Sequence, residues 1–203
     1  LLLMPNVSDE QRIELAKIIN MQSKRVVEMV SQLLDIASIE SGGVQSLKFE
    51  KIQLNELVSK VIEEFNVPQD RTPPIFDKAV QVPLVYVDYD KMYQVVLNLL
   101  SNAYKYSADG DVEIELRMPQ SDNGESEGVI ELVVSDSGIG MNEEQVSKVF
   151  ERFWRADQSG HIPGTGLGMS LVKEIVDMFS GEIIVESQPG QGSQFKVRLD
   201  ANS

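Results

Sequence analysis

The sequence contains no cysteine and a single histidine, His161. Disulfides and thiolate metal sites are therefore excluded, and a reducing, cytosolic setting is compatible with the composition. Basic residues are scarce: 18 Lys and Arg stand against 32 Asp and Glu, for a net charge of -14. No basic run or basic-aromatic patch is present, which argues against a nucleic-acid backbone as the main partner. A bound polyphosphate would have to rely on a metal ion and a few local cations. No apolar run approaches the ~20 residues of a membrane span. The opening Leu1-Leu2-Leu3 carries neither an initiator Met nor a signal sequence, and reads as the cut end of something longer. What is present, 203 residues at 42% hydrophobic and 25% charged, suffices for one domain with a real core plus an accessory element.

Residues 9–41 hold no Pro or Gly and predict one long helix. Ser8 is placed as its N-cap with Gln11 at the capping-box position, and Gly42-Gly43 supply the stop. Ala16, Ile19, Ser23, Val26, Val30, Leu33 and Ala37 alternate spacings of three and four, a bundle seam widened by Val27 and Leu34. Such a helix either finds partners or packs on its own domain. Leu1 to Met4 with Pro5-Asn6 read as the end of a preceding helix and a turn, so the pair would form an antiparallel hairpin. Downstream, strands are expected at 49–54, 75–76, 84–87, 112–118, 129–135, 181–186 and 194–199, with helices at 54–65, 89–106, 143–150 and 167–179. Antiparallel hairpins with intervening helices imply a two-layer α/β sandwich, helices on one face of a mixed, largely antiparallel sheet. The stretch 121–128 would form an exposed hairpin tip.

The helix at 89–106 carries the most telling stripe. Asn98, Asn102, Lys105 and Tyr106 share one face, while Met92, Val96, Leu99, Leu100 and Ala103 share the other. Carboxamide oxygens are hard ligands suited to Mg²⁺, and an ammonium is a point charge for phosphate. A polar outer face is the plainer alternative. After the strand Leu132-Val133-Val134 comes Asp136-Ser137-Gly138-Ile139-Gly140-Met141: the carboxylate can accept from an exocyclic amine, and the glycines would let a flat ring approach the backbone. The same pattern also makes an ordinary turn. Gly164-Thr165-Gly166-Leu167-Gly168 opens a helix whose N-terminus favours anions, yet it is neither a dinucleotide fingerprint nor a P-loop. In Phe150-Glu151-Arg152-Phe153-Trp154-Arg155, the arginines could reach phosphates, while packing explains Phe150 and Phe153 equally well. His161 lies in a polar loop, where a lone His is most often incidental.

In this order and spacing the motifs resemble those of the catalytic ATP-binding domain of sensor histidine kinases, over essentially the whole chain. Asn98 to Ser107 looks like the N box, Asp136 to Met141 the G1 box, Phe150 to Phe153 the F box and Gly164 to Met169 the G2 box. Residues 1–43 resemble the second half of the dimerisation and phosphotransfer hairpin, with 44–203 as the catalytic domain. The resemblance implies a Bergerat-type fold preceded by a long bundle-type helix, with ATP and Mg²⁺ as ligands. Asn98 and Asn102 would serve the metal. Nucleotide binding would fall to those two with Lys105, Tyr106, Asp136, Gly138, Ile139, Gly140, Arg155, Gly164, Thr165, Gly166, Leu167 and Gly168, and residues 150–168 would form a lid.

The phosphoacceptor His is expected upstream of Leu1, so the chain would hold no catalytic His of its own and would not autophosphorylate alone. The implied partners are a second copy through the helical hairpin and a response-regulator receiver domain, in the cytoplasm, with any membrane attachment outside these residues. Related ATP hydrolases carry Glu where this chain has Asn98, and a carboxamide cannot act as base toward water. ATP hydrolysis and nucleotide sensing without transfer are the competing readings.

Overall fold

The computed structural model describes residues 8–42, 47–78, 82–107, 110–119, 128–156, 162 and 164–201. The turn at 5–6, the hairpin tip at 121–127, His161 and much of the expected lid lie outside the described residues.

Helix α1 (Asp9–Gly42) opens with a complete capping box, Gln11 N donating to Ser8 Oγ at 3.2 Å and Ser8 N to Gln11 Oε1 at 3.0 Å. Strand β1 (Phe49–Ile52) pairs antiparallel with β3 (Val85–Asp88) as a separate two-stranded sheet, and α2 (Leu54–Glu64) lies between them in sequence. Asp88 caps α3 (Tyr89–Tyr106) by accepting from Lys91 N at 3.0 Å, and its other oxygen takes Lys48 N at 2.7 Å. The main sheet runs in the order β2 (Ile75–Asp77), β4 (Val112–Arg117), β5 (Val129–Asp136), β7 (Ser193–Asp200), β6 (Glu182–Ser187). All its pairs are antiparallel except the edge strand β2, which runs parallel to β4. Two more helices, α4 (Glu143–Lys148) and α5 (Gly168–Met178), complete the chain.

The strands alternate as a half-buried sheet should. Ile114, Leu116, Ile130, Leu132, Val134, Phe195, Val197 and Leu199 turn inward and meet Leu57, Val61, Met92, Val96, Leu99, Leu100, Leu171 and Ile175 from the helices. The register pairs Val112 with Asp136 and Asp136 with Ser193. Paired residues share a face, so the carboxylate of Asp136 belongs to the helix side of the sheet, at its edge. A two-layer sandwich preceded by a long helix is thus the observed architecture.

Helix α1 carries apolar residues on two faces. Ile19, Val26, Val30 and Leu33 stand 38–58% exposed, with Val27 and Leu34 at 65%. It is the opposite face that docks: Ile36 is buried, and Met29 and Ile39 pack on the core. The helix thus packs on its own domain through one face and leaves the periodic apolar stripe exposed.

Candidate functional site

Asn98, Asn102, Lys105 and Tyr106 line the half-exposed face of α3, and the five apolar residues opposite them are buried. Asn98 Nδ2 donates to the carbonyl of Gln94 one turn earlier, at 2.9 Å. That bond turns Oδ1 the other way, toward the first residue of α5, where a Cβ on Gly168 would come within 3.1 Å of it. Among the described residues no side chain caps the N-terminus of α5. A hard oxygen and a helix N-terminus thus lie side by side, which suits a cation-bound phosphate. Lys105 lies over the Tyr106 ring, 4.8 Å from its centroid, and its Nζ abuts Gly164, where a Cβ would collide with it. Arg155 donates through Nη2 to Ile162 O, while its Nε is buried with no partner among the described residues. These features fit a polyphosphate.

Asp136 accepts from Gly138 N at 2.8 Å and from Ser193 N. Burial raises its carboxyl above the ordinary value of 3.8, and these two N–H groups pull it partly back. The G1 glycines also meet the protein's own backbone. A Cβ on Gly138 would strike the carbonyl of Tyr106, and one on Gly140 (φ +62) would strike that of Gln188. They let the loop pack on protein backbone. Gly192 (φ +80) does the same from the β6–β7 turn, sitting against Asp136 O. Ser187 Oγ ties the turn down, accepting from Met141 N and donating to Gly192 O, each at 2.8 Å.

In the G2 loop Thr165 is buried, its hydroxyl donating to Gln32 of α1 at 2.7 Å and accepting from Leu167 N at 3.3 Å. Leu167 is fully buried and offers a ligand only backbone. Gly166 packs on the backbone of Phe153, whose N–H donates to Gly166 O at 2.8 Å. Packing does account for Phe150 and for Trp154 beside it, but Phe153 is 56% exposed and held at φ 65.

Residues 87–203 match the family described as histidine kinase-, DNA gyrase B- and HSP90-like ATPase. The chain belongs to this family. Its motifs are those of the sensor-histidine-kinase branch of these ATP-binding domains. The adaptive-response sensory kinase SasA of Thermosynechococcus vestitus is 33% identical over 90% of this chain and 47% of its own length. The sensor histidine kinase WalK of Bacillus subtilis is 32% identical over 88% of this chain and 29% of its own. In fold, the full-length structure of ShkA in complex with AMPPNP superposes with a TM-score of 0.76 at 21% identity, covering 96% of this chain and 40% of that one. The chain spans only 16–47% of the length of such curated relatives.

Around the site several contributors are not signalled by the sequence. Arg25 donates to Gly164 O at 2.7 Å, and Asp35 accepts from Lys91 Nζ at 3.0 Å and Gln94 Nε2 at 2.9 Å, so α1 reaches the G2 loop and the turn before Asn98. Only the fold brings residues so distant in sequence together. For Gly192 a signal existed: the Gly190-Gln191-Gly192 turn held a second glycine beyond what the hairpin needed.

Proposed function

We propose that this chain is the catalytic part of an ATP-dependent protein-histidine kinase of two-component signalling, a phosphotransferase acting on a nitrogen acceptor. The observation that carries the reading is Asn98: it places a carboxamide, with Oδ1 turned toward the α5 N-terminus, where the hydrolysing relatives would need a carboxylate base. Such a site holds the triphosphate without activating water. Asn98 and Asn102 would hold Mg²⁺, with phosphate and water as its remaining ligands, and the ion would supply neutralisation of the phosphate charge. Asp136 accepts from the adenine amine. Tyr106 lies by the base, with Gly138, Ile139 and Gly140 framing it. Lys105 and Arg155 meet phosphate oxygens, and Gly164, Thr165, Gly166, Leu167 and Gly168 present backbone.

The reaction consists of in-line attack by an imidazole nitrogen of an added hairpin on the γ-phosphorus, with the bond to the β-bridging oxygen breaking and ADP leaving. Phosphate then passes to a receiver-domain Asp. Residues 1–43 act as half of a dimerisation hairpin, 44–203 as the catalytic domain, and the exposed stripe Ile19, Val26, Val30 and Leu33 as the bundle seam toward the other arm and a second copy. The catalytic region works in the cytoplasm. Incubation with γ-labelled ATP tests this: label is expected on an added phosphotransfer hairpin bearing a His and not on this chain. Stable label on His161, or none on any hairpin despite tight nucleotide binding, would contradict it.

A further inference from the structure

Arg71 belongs to none of the motifs that carry the nucleotide site, yet its guanidinium grips the end of the helix on which that site is built. Nη1 donates to Ser107 O and, at 3.4 Å, to Tyr104 O; Nη2 donates to Gly110 O at 3.0 Å. The group also lies over the Tyr104 ring, 5.1 Å from its centroid. Asp70, held at φ 64, shapes the turn that delivers it, and Tyr104 Oη reaches back to Thr72 O at 2.7 Å. One planar fork thus bridges the carbonyls of Tyr104 and Ser107, at the negative end of the α3 dipole, and that of Gly110.

Tyr106 and Gly110, next to these carbonyls, seat the G1 loop. Ile139 N donates to Tyr106 O at 3.3 Å, Gly138 rests on the same carbonyl, and Gly110 rests on Ser137 Oγ. Gly138 N in turn orients Asp136 Oδ1. We infer that Arg71 is a positioning residue for adenine recognition: by fixing the carbonyls of Tyr104, Ser107 and Gly110 it holds Tyr106 and the G1 loop in register, so that Asp136 is aimed at the base. The inference rests on the adenine role proposed above for Asp136.

A double-mutant cycle on ADP affinity, measured by calorimetry on the whole chain with magnesium, tests it. Arg71→Ala should weaken ADP about tenfold, and Arg71→Lys should weaken it nearly as much, since an ammonium cannot span the three carbonyls. In an Asp136→Asn background the same Arg71 changes should have less than about a twofold effect. Equal losses in both backgrounds, rescue by Lys, or no loss at all would overturn the assignment. Should Arg71→Ala fail to fold, the Lys variant carries the cycle alone. Failure of the parent chain to bind ADP would instead count against the nucleotide reading itself, and is visible before any variant is made.

Discussion

At Asp136 function and stability pull apart. Burial raises the carboxyl above its ordinary 3.8, so the folded protein holds this proton more readily than the unfolded chain. The group's contribution to stability is complete below that ordinary value and is lost as pH rises through the raised one. At neutral pH its charge is a cost to the empty protein that an adenine amine would offset. Asp136→Asn is therefore expected to leave the melting temperature of the empty protein unchanged or higher, while weakening ADP binding about 10- to 100-fold. Melting curves and titrations on one preparation check both. A fall in melting temperature equal to that of a core truncation would make Asp136 a structural residue. This site was legible from residue types wherever one helix face or one loop carried it, as with Asn98 and Asn102. Ser187 and Arg71 were not legible, because their partners are backbone atoms that only the fold brings near.

Among the elements, β5 shows what alternation hides. Glu131 is 1% exposed although it faces away from the helices. Arg117 and Arg198 on the flanking strands cover it, with Nε bonds of 2.6 and 2.8 Å, and the register aligns Arg117, Glu131, Arg198 and Glu182 in one row of alternating charge. Burial pushes the Glu131 carboxyl up, but the bonds from Arg198 and Arg117 outweigh it and hold the group below its ordinary 4.5. With a lowered folded value, its stabilisation is present above 4.5 and lost as pH falls through the folded one. Glu131→Gln should cost about 1–2 kcal/mol at neutral pH, lowering the midpoint by about 2–8 °C. The gap between variant and parent should close in acid. Thermal melts across pH check this, and a gap constant down to pH ~3 would contradict it. Strand positions were readable from period and turn residues, whereas this ladder depends on register, which no single strand encodes.

At the scale of the molecule, α1 joins a free apolar stripe to a docked face that touches the G2 loop. Ile36, 2% exposed, is the α1 side chain sunk into the core, flanked by the partly exposed Asp35–Lys91 pair. Such a pair adds at most about 1 kcal/mol, so the apolar contact dominates the docking. Ile36→Ala is expected to weaken it by about 2–4 kcal/mol. Amide exchange in α1 should then accelerate far more than in α3 or α5. Equal acceleration throughout would mean that helix and sandwich open as one unit. The helix itself was plain from its cap, its length and its lack of Gly and Pro. Which of its stripes would dock was not, because both are apolar and only the domain's surface chooses between them.

The proposed function requires that this domain grip an adenine nucleotide through the α3 carboxamides and Asp136. Calorimetric titration of the folded chain with ADP, with and without magnesium, measures that directly. One-to-one binding is expected, at least about tenfold tighter with the cation and lost on Asn98→Ala mainly in its magnesium-dependent part. A folded sample that takes up no nucleotide, or binds it equally well without magnesium and without Asn98, would contradict the assignment of this site.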